Sequence, residues 1–66
     1  MSLAITIDYT NWRGERSQRR ILPHSLRYGT NQWHPTEQWL LAAHDLDRDE
    51  EREFAMVSIH SWTPIE

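Results

Sequence analysis

Cysteine is absent from the 66 residues, lysine is absent too, and glycine occurs only twice. Without cysteine there is no disulfide framework of the kind that small secreted domains rely on, so a reducing compartment, the cytoplasm, is expected. Thiolate zinc sites are excluded on the same ground. No apolar run approaches the roughly 20 residues of a membrane span. The opening Met-Ser-Leu-Ala-Ile-Thr-Ile-Asp-Tyr-Thr lacks both the basic flank and the long apolar stretch of a signal peptide, so no membrane partner is expected. There is no internal repeat, linker or low-complexity tract, which reads as a single domain over residues 1–66. A chain this short holds one core and buries only about 60% of the surface it exposes unfolded.

What is present is charge, unevenly spread. All seven basic residues are arginines, and against ten carboxylates they leave a net charge of -3. That balance argues against a domain that coats nucleic acid through counterion release alone. Yet Arg13, Arg16, Arg19, Arg20 and Arg27 face only Glu15 in their stretch, whereas Asp45 to Glu53 is dominated by acids. Such segregation can give an acidic protein one basic face. The competing reading is a solvated surface of scattered ion pairs.

Leu3, Ile5, Ile7 and Tyr9 alternate with Ala4, Thr6 and Asp8, the clearest strand signal in the chain. Asn11 and Gly14 predict a turn, after which Ser17 to Leu22 returns as a hairpin partner. Pro23 ends or bends that strand, Leu26 to Tyr28 forms a short one, and Gly29-Thr30-Asn31 is a second turn. From Pro35 to Ile59 two readings compete. Thr36 can cap a helix with Trp39, Leu40, Ala43 and Leu46 as its apolar stripe. Alternatively, Asp45 to Asp49 is the turn of a hairpin between Trp39–Ala43 and Phe54–Ile59. In that case Trp39, Leu41 and Ala43 face one side and Leu40 and Ala42 the other, as in a strand buried on both faces.

These residues resemble the WYL domain, a small barrel related to the Sm and SH3 folds that usually sits behind a DNA-binding helix-turn-helix in bacterial regulators. Ile7-Asp8-Tyr9 is similar to its opening strand motif, and Arg19-Arg20-Ile21-Leu22-Pro23 to its arginine-to-proline element. Trp39-Leu40-Leu41 stands where the name-giving tripeptide falls. Asp45-Leu46-Asp47-Arg48 matches the acidic hairpin turn, and Arg52-Glu53-Phe54 followed by Ile59 matches the closing element. The resemblance selects the hairpin. It implies an all-β fold, a small five-stranded SH3/Sm-like barrel of antiparallel hairpins with a short 3-10 turn before the last strand. It also implies a non-enzymatic ligand-sensing or regulatory module. Leu40 replaces the family's tyrosine, and Ala55 and Ser58 stand where many members carry arginines that line the ligand site. Asn31 to Gln38, with Trp33, His34 and Pro35, lengthens the loop before the tripeptide. No helix-turn-helix precedes the domain here, so operator reading in the usual style is not expected.

The resemblance carries Tyr9, Arg19 and Arg52 over as ligand-binding residues on a polar, basic patch. Arginine offers a planar fork to phosphate or carboxylate, and tyrosine a stacking face with a hydroxyl. The structural alternatives are half-burial at a strand end for Tyr9 and a cross-strand ion pair near the acidic turn for Arg52. Trp12, beside Arg13 and Gly14 in a turn, is the fourth candidate, an exposed aromatic suited to stacking on a base. Trp39 is expected in the core, Trp62 packing the last strand, and Trp33 in the extra loop, covering one end of the barrel or meeting a partner. His24, His34, His44 and His60 have no zinc spacing, and the acid run has no calcium-loop glycine, so no metal or other cofactor is expected. No catalytic residue is expected either. His24 and Ser25 are neighbours that a strand points to opposite faces, and Ser58 with His60 lacks an orienting acid. The expected partner is a nucleotide or single-stranded nucleic acid bound by the arginine-rich face. The other reading is a protein partner or a second copy docking through edge strands.

Overall fold

A computed structural model describes residues 3–65. Five antiparallel strands form one sheet: β1 (Ile5–Thr10), β2 (Arg16–Gly29), β3 (Gln38–Asp45), β4 (Glu50–Ala55) and β5 (Ile59–Pro64). A 3-10 turn, Met56–Ser58, links β4 to β5, and no α-helix occurs among the described residues. The spatial order is β4-β3-β2-β1-β5. The hairpin reading of Trp39 to Ile59 is therefore the right one, and the all-β fold with its 3-10 turn before the last strand is as expected.

Alternation explains which side becomes the core. The register places Ile5 opposite Ile21, Ile21 opposite Asp45, Ala43 opposite Arg52 and Leu41 opposite Phe54. Directly opposed residues share a face, so one side of the sheet gathers Ile7, Tyr9, Ile21, Leu41, Ala43 and Phe54 into a buried cluster. Tyr9 meets Phe54 edge to face at 5.0 Å, and the Ala55 N–H donates to the Tyr9 hydroxyl at 3.3 Å. These contacts join β1 to β4 across the interior. The sheet curls into a barrel shape, but among the described residues no ladder of hydrogen bonds closes it.

Several placements differ from expectation. The short strand at Leu26 to Tyr28 is the second half of a continuous 14-residue β2. Pro23 bends it without ending it, because a bulge between Pro23 and Ser25 absorbs the missing N–H and lets pairing with β3 continue. Trp39 is not core but 55% exposed. It shares the core-side parity of Leu41, yet it lies two residues nearer the start of β3, beyond the filled cluster, and packs only edge-on against Tyr28 at 5.4 Å. Trp62 lies on β5 opposite Ile7 but is likewise largely exposed, because β5 is an edge with no further strand beside it. Leu40 and Ala55, paired on the opposite face of the sheet, are both buried.

Candidate functional site

Two turns built alike present the exposed indoles. In the β1–β2 connection, Asn11 Oδ1 accepts from the N–H groups of Arg13 and Glu15, both at 2.9 Å, and Gly14 adopts φ +81, a left-handed conformation that glycine takes without steric cost. In the β2–β3 loop, Asn31 Oδ1 accepts from Trp33 N–H at 2.9 Å and His34 N–H at 2.8 Å. Each asparagine fixes a short loop carrying one tryptophan. The curl of the sheet brings the loops together: Trp12 and Trp33 stack with centroids 5.2 Å apart, and the Arg13 guanidinium lies 5.8 Å from the Trp12 ring.

A groove of about 520 Å³ opens beside Trp33. Asn31, Gln32 and Trp33 form one wall, Ala42 of β3 lies within it, and Glu51, Arg52 and Glu53 of β4 form the other. Glu53 is anchored rather than free. Its carboxylate takes a two-point grip from Arg27 and a 2.9 Å bond from Asn31 Nδ2, and these two partners hold its pKa at about 2.

Tyr9, Arg19 and Arg52 all lie on the core-facing side by register. Tyr9 is buried, and the loss of water pushes its phenol up, opposed by the Ala55 N–H and by the charges of Arg19 and Arg52. Arg19 reaches Asp45 at 3.3 Å and Ser17 Oγ at 3.1 Å, while Arg52 bonds Glu50 at 2.9 Å, along its own strand and not across to a neighbour. Trp12 is not in this group. It stacks on Trp33, in a groove whose strand residues Ala42, Glu51 and Glu53 lie by register on the face opposite Arg52.

One feature escaped the sequence. Asp45 reads as part of a solvated acid run, yet it is 0% exposed, held by Arg19 and by the N–H groups of Asp47 and Arg48. Its partner lies 26 positions away, so no local signal announces it. For the arginines, the reading of a surface of ion pairs is the right one. Arg16 with Asp8, Arg19 with Asp45, Arg20 with Asp47, Arg27 with Glu53 and Arg52 with Glu50 all form ion pairs, so the basic stretch is largely neutralised in place. The histidines do partly converge, His24 and His44 both meeting Glu51, but among the described residues no group of three or more side chains is arranged to hold a metal ion.

No curated protein and no solved structure matches the sequence significantly. The family model of the WYL domain matches residues 2–64, nearly the whole chain. With its five antiparallel strands and the 3-10 turn before the last of them, the chain belongs to the WYL domain family, whose members are regulatory, ligand-sensing modules.

Proposed function

We propose that this WYL domain senses a nucleotide or a short single-stranded nucleic acid, with Arg52 and Arg19 beside Tyr9 receiving phosphate and the Trp12–Trp33 stack receiving a base. The observation that carries this reading is the exposed stack of Trp12 on Trp33, with the Arg13 guanidinium 5.8 Å from the Trp12 ring. A cation beside an aromatic platform is the combination that binds single strands. Arg52 spends one of its five N–H donors on Glu50, so most of its fork is uncommitted. Nothing in this reading calls for catalysis.

Tryptophan fluorescence during titration with mono- and dinucleotides and short oligonucleotides tests it. Stacking is worth about 1 to 3 kcal/mol per base, so Trp33→Ala weakens binding roughly fivefold to a hundredfold. Arg52→Gln weakens it to a similar degree through the lost charged hydrogen bond. No binding at millimolar ligand would remove the reading. A second reading, protein docking, is favoured by the exposed row Leu26, Tyr28 and Trp39 and by β5, an edge strand without a formal charge. Sedimentation at several concentrations separates self-association from a strict monomer.

A further inference from the structure

The groove beside Trp33 is walled by carboxylates on its strand side. By register Ala42, Glu51 and Glu53 share the face of the sheet that turns away from the Arg52 side chain. The β2–β3 loop is tied to that face by the 2.9 Å bond from Asn31 Nδ2 to Glu53, and the same Asn31 holds the N–H of Trp33, so one side chain sets the indole's loop against the β4 carboxylates. Ala42, with a single methyl, leaves room between them. The two carboxylates differ in what they still offer. Glu53 is taken up by Arg27 and Asn31. The Glu51 side chain is 64% exposed, and each of its oxygens meets one histidine, Oε2 with His44 Nδ1 at 2.7 Å and Oε1 with His24 Nε2 at 3.0 Å. A carboxylate has about four lone-pair positions, so roughly one stays open on each oxygen. The histidines also hold the group in one orientation before any ligand arrives. The hydrogen bond from His44 is the main cause that keeps its carboxyl below the ordinary 4.5, so the group is ionised at neutral pH.

Such walls repel phosphate and attract hydrogen-bond donors, and beside an indole the matching ligand is a flat ring with donors on its edge. Two carboxylate oxygens side by side fit two adjacent N–H donors. Among the common bases guanine has them, in N1–H and the 2-amino group. Adenine and cytosine set one amino group beside a lone pair, and uracil sets one N–H between two carbonyls. We propose that this groove is a guanine pocket, in which the base lies against Trp33 and donates from N1–H and the 2-amino group to the two Glu51 oxygens. Gln32, in the same wall as Trp33, supplies an amide donor for the base O6. The sugar and phosphate stay outside, clear of the carboxylates, on the Arg13 side of the indole stack. The pocket rests on the nucleotide reading above and adds to it the identity of the base.

The test is titration of the full chain with guanosine monophosphate, inosine monophosphate and uridine monophosphate at neutral pH, followed by amide shifts. The first two ligands differ only in the 2-amino group. Losing one charge-assisted hydrogen bond at a solvent-open site predicts inosine monophosphate weaker by roughly three- to tenfold, and uridine monophosphate weaker still. The shifts should centre on Gln32, Trp33, Glu51 and Glu53. Glu51→Gln keeps the shape but turns one acceptor into a donor at an exposed position, and it should bring guanosine and inosine monophosphates to within about twofold of each other. A difference in stacking between the two bases would persist in that variant, so the comparison isolates the carboxylate. Equal affinity of the two in the unaltered chain, or a preference that survives in Glu51→Gln, would overturn the pocket while nucleotide binding stands. Absence of binding by all three at millimolar concentration removes the nucleotide reading and the pocket with it.

Discussion

At the scale of single residues, the account rests on three polar groups that the fold cannot easily replace. Tyr9 places its hydroxyl oxygen in the path of the Ala55 N–H, in the interior of the domain. Tyr9→Phe leaves that donor unpaired and costs about 1 kcal/mol in a urea titration, with the Phe54 contact retained. Asp45 has a larger effect, because Arg19 is itself nearly buried and Asp45 also caps the β3–β4 turn. Asp45→Ala strands the Arg19 charge and costs roughly 3 kcal/mol or more, a large fraction of the stability of so small a domain. Asp45→Asn keeps an acceptor for the turn and should cost less. Glu53 predicts a pH limb. Its folded pKa of about 2 lies below the ordinary 4.5, so its contribution is present above 4.5 and is lost as the pH falls toward 2. The Arg27 side of the pair is open to solvent, which reduces the contribution to about 1 kcal/mol. Acid titration of Glu53→Gln should show that limb flattened by this amount.

At the scale of elements, β3 shows how far local pattern reaches. Leu40→Ala, in the middle of the strand and fully buried, is expected to cost about 2 to 5 kcal/mol, whereas Trp39→Ser next to it costs less than about 1 kcal/mol despite the larger side chain. Denaturant midpoints of the two variants check this directly. β1 and the turn headed by Asn11 were legible because alternation and turn chemistry are local. β3 and β4 were not, since Trp39, Leu40, Ala43 and Leu46 also fit a helical stripe, and only the family resemblance separated the readings. The exposure of Trp39 was beyond reach for another reason. Parity gives the face but not where along the strand the core ends, and that limit is set by Ile7 and Phe54 on other strands. The same holds for the site. Tyr9, Arg19 and Arg52 were named from the resemblance, whereas the stacking of Trp12 on Trp33 and the role of Asn31 depend on two loops 20 residues apart being brought together by the curl of β2.

At the scale of the molecule, an acidic chain whose arginines are mostly paired does not act as a general polyanion binder. Arg13 and Arg48 have no carboxylate within ion-pair distance among the described residues, and the other five arginines do. Binding of a single strand should therefore neutralise only one or two phosphates, giving a logarithmic salt slope of about -1 and not the steep dependence of a basic groove. The two sheet edges are also unequal. β4 carries Glu50, Glu51, Arg52 and Glu53, which discourage further pairing, while β5 carries none of these charges. The central claim is that an anionic, base-bearing ligand is held between Tyr9, Arg19 and Arg52 on one side and the indole stack on the other. Amide shift mapping during titration with an adenine dinucleotide at low salt and pH 6 tests it most directly. The account predicts movement concentrated at Tyr9, Trp12, Arg19, Trp33 and Arg52, and it is contradicted by no movement at millimolar ligand or by movement confined to Leu26, Tyr28 and Trp39.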